Sequence, residues 1–237
     1  MNILAIETSA QAASAAVMRD GVLISESFSN VKLTHSQTIL PMVQSMLACS
    51  HLELSQIDVF AAAAGPGSFT GLRIGIAAVK GMAFALGKPC VGVSTLEAMA
   101  RQLTMVQGIV CPVMDARCSQ VYTALFSCRD GELTRLREDE AVSLDELMEQ
   151  LSGQSQPVFL VGDGAQLCYN RGCKEIPQVR LAPWNLVQQR ASGVCAAAFR
   201  LAGAGRLTTP QDLVPSYLRL PQAQRELQAK QKGKSGF

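Results

Sequence analysis

The sequence predicts an α/β fold of two similar halves, each a mixed β-sheet with helices. Short apolar runs of strand length alternate with longer stretches of helical periodicity, which indicates this class. The dipeptides Asp20-Gly21 and Asp130-Gly131 mark a hairpin turn at the corresponding place in each half. An order of three strands followed by alternating helices and strands begins twice, so the duplication is one of element order and not of residues.

The first half opens with three predicted strands and a helix. The strands are 2–7, 14–19 and 22–28, and the hairpin turn joins the last two. A helix is predicted over 36–49, where apolar residues recur at helical spacing, and Pro41 should kink or delay it.

Two further pairs of strand and helix complete the first half. An apolar strand over 59–64 leads through a glycine-rich turn into a helix over 70–86 that ends at a glycine. A strand over 90–93 follows. Ser94 with Glu97 then predicts a capping box at the start of another short helix.

The second half repeats this order. Its predicted strands are 109–115, 120–127, 133–137 and 157–161. Ser143 with Glu146 predicts a second capping box, and an alanine-rich stretch predicts a long helix over 186–202, while the segment before that helix shows no clear pattern. We therefore expect domains over 1–105 and 106–222, followed by a basic tail over 223–237 that is expected to be disordered.

Composition excludes several classes of protein. A hydrophobic fraction of 48% is too high for a disordered chain, and no apolar run reaches the roughly 18 residues needed to span a bilayer. The first residues are not expected to form a secretory signal, and the eight cysteines contain no C-x-x-C pair, so a cytoplasmic protein with reduced thiols is expected. Two histidines cannot build a multi-histidine metal site, and a net charge of +2 does not by itself predict nucleic-acid binding.

A glycine-rich stretch over 64–75 is the most distinctive feature. Gly65 and Gly67 follow a strand and precede a helix, so backbone N–H groups near Ser68 could face an anion at the helix N-terminus. The spacing matches neither G-x-x-x-x-G-K-[ST] nor G-x-G-x-x-G. A phosphate site and a tight turn without a ligand both remain open.

The helix that follows carries small residues at helical spacing, at Gly71, Gly75 and Ala78. Each interior glycine costs roughly 1 kcal/mol of helix propensity relative to alanine, so a close contact must offset it. That contact is either packing within the domain or an interface with another subunit.

The duplicated element order resembles the actin, hexokinase and Hsp70 ATPase superfamily, whose ribonuclease H-like halves clamp a nucleotide. An acid commonly follows the first strand there, and Glu7 occupies that place here. The resulting candidates for nucleotide or phosphate contact are Thr8, Ser9, Gly65, Gly67 and Ser68. Asp115 lies at the corresponding strand end of the second half. Capping of the strand end is the alternative for both acids.

A more specific resemblance rests on motifs spread over nearly the whole chain. They are 64–75, Lys80-Gly81, Lys88-Pro89 and 93–98, with 6–9, His35-Ser36, Leu40-Pro41, 115–117 and 215–219. Together they resemble the TsaB family, formerly grouped with glycopeptidase-like proteins. The resemblance implies a non-catalytic subunit beside the paralogue TsaD, which transfers threonylcarbamoyl from its adenylate to an adenosine next to the tRNA anticodon.

TsaD holds its metal partly through H-x-x-x-H on a helix after the equivalent strand. The matching positions here are Thr95 and Met99. A hydroxyl and a thioether cannot replace two imidazoles, so we expect no catalytic residue and no metal site in this chain. Glu97 lies between them, and a capping box explains it. His35 is expected to cap a helix or face a partner.

The resemblance also implies partners. The helices over 36–49 and 70–86 are expected to bind TsaD, and the same surface would form a homodimer when the chain is alone. The residues predicted for that surface are Leu40, Val43, Leu47, Gly71, Gly75 and Ala78. An ATPase subunit, TsaE, completes the expected complex, where ATP or ADP can bind. The chain is expected to have no cofactor of its own, to contact tRNA only indirectly and to avoid membranes.

Two other functions stay open. A stand-alone ATPase or kinase of the actin-like class is suggested by the glycine turn and by Gly162-Asp163-Gly164. ATP binding and phosphate release by the isolated chain would reveal it. A peptidase is suggested only by the older family grouping, since the sequence offers neither a metal cluster nor a convincing nucleophile–base pair.

Overall fold

The computed structural model describes residues 1–219, which contain ten strands and six α-helices. The predicted tail over 223–237 lies outside the described residues. The first half consists of β1 (Asn2–Glu7), β2 (Ala13–Arg19), β3 (Val22–Ser29), α1 (His35–Cys49), β4 (Val59–Gly65), α2 (Phe69–Leu86), β5 (Cys90–Ser94) and α3 (Thr95–Ala100). The second consists of β6 (Gly108–Arg117), β7 (Gln120–Arg129), β8 (Glu132–Ser143), α4 (Leu144–Ser152), β9 (Val158–Val161), α5 (Ala165–Arg171), β10 (Val179–Leu181) and α6 (Ala191–Gly203).

Each half forms one five-stranded sheet. The first has the order β3-β2-β1-β4-β5 and the second the order β10-β9-β6-β7-β8. In both sheets the strand that begins the half is central, with antiparallel neighbours on one side and parallel neighbours on the other. The predicted duplicated α/β fold with two mixed sheets is confirmed.

The last helix of each half packs on the sheet of the other half. α6 contributes Ala191 and Ala198 to a buried cluster that includes Ile3 of the first sheet. α3 belongs to the buried cluster of the second sheet, where it packs against β6 and β7. The two helices cross where a Cβ on Gly193 would lie 2.1 Å from the Ala98 carbonyl oxygen. This exchange joins the sheets and sets their strand ends around a shared cleft.

α1 runs without a break from His35 to Cys49 with Pro41 inside it, so the predicted delay of the helix is wrong. Its missing N–H leaves the carbonyl of Gln37 without a helical partner. Both residues are exposed, so water can satisfy that carbonyl.

The long helix predicted over 186–202 is wrong at its start, because α6 begins at Ala191. The preceding residues serve tertiary contacts instead. The Val187 carbonyl accepts a hydrogen bond from Gly162 N–H at 2.7 Å, and Arg190 forms an ion pair with Glu26 at 3.1 Å. The segment without a clear pattern contains α5 and β10, which have seven and three residues and are too short to show a period.

Residues 207–219, here called the C-terminal strap, cross from the first sheet to the second. Thr208 pairs with Cys90 at the start of β5, and Leu213 is buried beneath the first domain's helices. Farther along, Ser216 N–H donates to the Ala64 carbonyl at 2.7 Å. The strap ends on the second half, where the Arg219 guanidinium donates to a β6 carbonyl.

α2 is the one described helix that is long and apolar enough to cross a membrane, with a mean hydropathy of 1.4 over 18 residues. Its buried side packs Leu72, Ile76 and Val79 toward β1 and β4. The structure therefore uses α2 as a core helix.

All eight cysteines are free thiols, and six of them are buried. Burial raises the pKa of Cys90 to about 11 and that of Cys111 to about 12. These two thiols stay protonated near neutral pH and behave as small hydrophobic side chains, as predicted.

Candidate functional site

A cleft of about 510 Å³ lies between the two sheets, at the carboxyl ends of their central strands. The first half lines it with Ser9 and the start of α2, including Ser68 and Phe69. The second half contributes Asp115 and Arg117 at the end of β6. Ligands of open α/β folds bind beyond the carboxyl ends of strands, so this cleft is the candidate site.

The glycine turn at the edge of the cleft is occupied by the chain itself. A Cβ on Gly67 would lie 2.6 Å from the Ser9 carbonyl oxygen, and one on Gly65 would lie 2.2 Å from that of Ser216. Both glycines have positive φ, which only glycine adopts readily. The N–H of Ser68 donates to the Ser9 carbonyl at 2.7 Å, and the Ser68 hydroxyl accepts from the backbone of α2. This amide is therefore committed to the protein and not turned toward an anion.

The small residues of α2 admit the chain that leaves β1. A Cβ on Gly71 would lie 2.0 Å from the Thr8 carbonyl oxygen, and one on Gly75 would lie 2.3 Å from the Thr8 hydroxyl. That hydroxyl donates to the Gly71 carbonyl at 2.9 Å. Packing within the domain thus explains the glycines, and it also accounts for Thr8.

The residues predicted as a partner surface divide between core and surface. Gly71, Gly75, Val43 and Leu47 are buried in the first domain, so their prediction as surface residues is wrong. Their apolar periodicity marks the inner side of each helix, which faces this chain's own sheet. Ala78 is half-buried against the same core, and Leu40 is exposed.

Two acidic side chains lie beneath and beside the cleft. Glu7 is only 1% exposed, and burial raises its pKa to about 7, although its carboxylate accepts a hydrogen bond from Ser9 N–H. Asp163 is exposed at the cleft, yet the protein around its carboxyl group removes enough solvent to raise its pKa to about 6. The Gln189 amide donates to Asp163 at 2.6 Å. Both carboxyls therefore hold their protons to a higher pH than ordinary side-chain acids do.

The positions that correspond to the histidines of H-x-x-x-H lie on α3. Thr95 and Met99 are both 0% exposed, and the Thr95 hydroxyl has no hydrogen-bond partner within the described residues. The Met99 sulfur packs against the second glycine turn, where a Cβ on Gly162 would lie 2.9 Å away. These donors do not fit the metal that the resemblance implies for TsaD. Within residues 1–219, no three His, Cys, Asp or Glu side chains are grouped as a metal site.

The capping box predicted at Ser94 and Glu97 is only half formed. The Ser94 hydroxyl accepts from Glu97 N–H at 3.1 Å, but the Glu97 carboxylate does not return the bond. It pairs instead with Arg101 at 2.6 Å and with Arg135 at 3.5 Å. Ion pairs with Arg101, just after α3, and with Arg135 of β8 compete with the cap, and the sequence did not reveal Arg135 as a neighbour.

Other candidates take structural roles. A ring nitrogen of His35 is hydrogen-bonded to the Ala10 carbonyl at 2.8 Å, which ties the start of α1 to the segment after β1. The backbone N–H of Arg117 donates to Asp115 at 2.7 Å, so the acid caps the end of β6. The motif at 215–219 was visible in the sequence, but its place beside the cleft was not.

Two equivalent sheets with exchanged helices around one cleft define the duplicated actin-like fold. An uncharacterized Pseudomonas aeruginosa protein with similarity to peptidase YEAZ superposes with a TM-score of 0.78 at 28% identity, covering 92% of this chain and 99% of that one. Component A of the (R)-2-hydroxyglutaryl-CoA dehydratase of Acidaminococcus fermentans is alike in fold alone, with a TM-score of 0.51 at 12% identity and coverage of 84% and 97%.

Sequence relatives narrow the class to a family. The model of the family described as "TsaD: tRNA N6-adenosine threonylcarbamoyltransferase" matches residues 23–224. The tRNA threonylcarbamoyladenosine biosynthesis protein TsaB of Escherichia coli is 35% identical, with 98% of this chain and 100% of that protein aligned. TsaB of Bacillus subtilis is 35% identical over 167 residues, which are 70% of this chain and 73% of that protein. The chain belongs to the TsaB family, within the wider family that includes TsaD.

Proposed function

We propose that this chain is the non-catalytic partner of TsaD in the formation of threonylcarbamoyladenosine in the anticodon loop of tRNA. Family membership gives its role in threonylcarbamoyladenosine biosynthesis. The proposal adds that it binds TsaD, supplies no catalytic group, metal or cofactor of its own, and works in the cytoplasm. TsaE would join the complex, and a homodimer would form in the absence of TsaD.

The observation that carries the proposal is the chemistry of α3. Thr95 and Met99 stand where TsaD has metal-binding histidines, and both are fully buried. The Met99 thioether packs against Gly162, so an apolar contact between α3 and the second half lies where TsaD would hold its metal. Neither side chain supplies the imidazole ligand that such a metal needs, and this absence of ligand chemistry at the two positions supports a partner role over a catalytic one.

The outer faces of α1 and α2 are the proposed surface for TsaD. The two helices pack side by side on the first sheet. Leu40 of α1 is 51% exposed and Phe84 of α2 is 67% exposed, while the inner sides of both helices are already used. Exposed apolar residues on neighbouring helices are typical of a protein interface.

Co-elution of the purified chain with TsaD tests the partner role. We expect the wild-type chain to co-elute and Leu40→Glu to prevent it, because a buried unpaired carboxylate would oppose association. Leu136→Glu is the matched control, since Leu136 is 54% exposed on β8 of the other half. Failure of the wild-type chain to co-elute would overturn the partner role. Co-elution of the Leu40 variant would overturn only the choice of surface.

The alternative function is a stand-alone ATPase, because the cleft between the two sheets has room for a ligand. Against it, the Ser68 N–H at the glycine turn is already bonded to the Ser9 carbonyl. Calorimetry with ATP and magnesium, with phosphate release by the isolated chain, separates the two functions. We expect no turnover, and sustained ATP hydrolysis by the chain alone would replace the partner role with an enzymatic one.

A further inference from the structure

Contacts along the C-terminal strap connect an arginine of the cleft with two arginines from distant parts of the chain. Arg117 lines the cleft at the end of β6, and Arg219 at the end of the strap donates to the Ala116 carbonyl next to it at 2.9 Å. Arg73 of α2 joins them through the strap, because its Nε donates to the Tyr217 hydroxyl at 2.9 Å. Phe69 packs its ring against Tyr217, with centroids 4.5 Å apart. We call Arg73, Arg117 and Arg219 the arginine cluster.

Most guanidinium N–H groups of the arginine cluster have no hydrogen-bond acceptor within the described residues. A guanidinium carries five N–H donors. Arg73 uses one on Tyr217 and Arg219 uses one on a carbonyl, while the Arg117 side chain makes no hydrogen bond within the described residues. The bonds of Arg73 and Arg219 fix these side chains in place, which lowers the entropy lost when they bind something else.

The charge of the cluster is not balanced by its neighbours. None of the three arginines forms an ion pair within residues 1–219, in contrast to Arg101 and Arg190, which pair with Glu97 and Glu26. Acidic neighbours from every side are few. Within residues 1–219 the carboxylates that line the cleft are Asp115 and Asp163, and the pKa of Asp163, about 6, leaves it mostly ionised at neutral pH. Glu7 lies buried, and its pKa is raised to about 7. The three guanidinium groups outnumber these two carboxylates, so an excess of positive charge remains.

We propose that the arginine cluster binds the sugar–phosphate backbone of RNA, so that the chain contacts the tRNA substrate directly. Guanidinium groups suit phosphate through paired N–H donors, and three of them in succession along the strap, beginning at the cleft, suit a chain of phosphates better than a single anion. The proposal rests on the proposed function, which sets the chain beside a tRNA-modifying enzyme. It revises the expectation that tRNA is contacted only indirectly.

The test measures tRNA affinity of the complex with TsaD against salt concentration, using an unmodified tRNA transcript. Each lost phosphate contact should lower the slope of log affinity against log salt by about 0.7, which is roughly a fivefold weaker affinity at 0.1 M salt. We expect this from Arg117→Gln and about twice the slope change from Arg73→Gln combined with it. Arg117→Lys should retain most of the slope because it retains the charge.

Arg129→Gln is the matched control. Arg129 is exposed at the opposite end of β7, roughly 30 Å along the strand from the cleft. It should leave both slope and affinity unchanged. Unchanged tRNA affinity in the Arg117 and double variants, with co-elution with TsaD intact, would overturn the RNA surface. Loss of co-elution in these variants would overturn it too, by assigning the cluster to a protein interface. Failure of the wild-type chain to bind TsaD would count against the proposed function alone.

Discussion

The two halves build the same strand-to-helix turn twice, and the turns differ in what surrounds them. Between β4 and α2, Gly67 approaches the Ser9 carbonyl that follows β1. Between β9 and α5, a Cβ on Gly162 would lie 2.2 Å from the Val113 carbonyl oxygen in β6. In both halves a glycine with positive φ admits backbone of the central strand or of the residues just after it.

The glycines of both turns serve packing, whereas the two turns differ in the groups that they present. Close packing of strand on turn requires the glycines in both halves, whether or not a ligand binds. The first turn leads into the 18-residue α2, which presents a broad outer face. The second leads into the seven-residue α5 and leaves the Asp163 carboxyl at the cleft. One turn therefore supports a surface, and the other holds an ionisable group.

The largest expected effect on stability comes from Gly71→Ala, which adds a Cβ where α2 packs against the chain that leaves β1. The added Cβ would lie 2.0 Å from the Thr8 carbonyl oxygen, so backbone must move and the Thr8 hydroxyl bond to α2 is lost. We expect a loss of about 3 kcal/mol in the free energy of unfolding. Urea unfolding measures it, and an unchanged midpoint would show that the contact is not tight.

The second largest effect is a pH dependence of stability caused by Glu7, the buried acid at the end of β1. The native pKa of Glu7, about 7, lies above its ordinary value of 4.5. Between these values the native state holds more protons than the unfolded state, so stability falls as pH rises. Above pH 7 the full cost is about 3 kcal/mol at most. Glu7→Gln removes the charge and keeps an oxygen for Ser9 N–H.

The Glu7→Gln variant should therefore be more stable than the wild type at pH 8 and nearly equal to it at pH 5. Thermal unfolding at both values measures this difference. An equal shift at the two pH values would mean that the amide acts through packing and that Glu7 is ionised without penalty in the native state.

The smallest expected effect is a gain from Gly81→Ala in the same helix as Gly71. A Cβ on Gly81 meets nothing within 4 Å. Helix propensity alone should then raise the free energy of unfolding by roughly 0.5–1 kcal/mol. Denaturation of this variant beside Gly71→Ala compares two glycines of one helix. A loss of stability in both would contradict the assignment of Gly81 to open surface.

Local signals predicted much of the fold. The Asp20-Gly21 turn and the capping box of Ser143 and Glu146 act within a few residues, and both are present as predicted. The exchange of α3 and α6 between the sheets, and the late start of α6, depend on contacts between distant residues. The periodicity of a single segment cannot predict contacts of this kind.

The site was predicted less well than the fold, for a related reason. Helical spacing identified Val43 and Leu47 as one apolar side of α1 but could not say that this side faces the chain's own core. The glycine motif was found, and its packing role depends on where Thr8 lies. Arg73 and Tyr217 are 144 residues apart, so only the folded chain brings them together.

Modification of tRNA by TsaD, with and without this chain, tests the central claim most directly. The reaction would contain threonylcarbamoyl-adenylate and an unmodified tRNA, with TsaD alone, this chain alone, or both. The account predicts threonylcarbamoyladenosine with both proteins, little with TsaD alone and none with this chain alone. Product formed by this chain alone, or an equal yield from TsaD without it, would contradict the role of a non-catalytic partner.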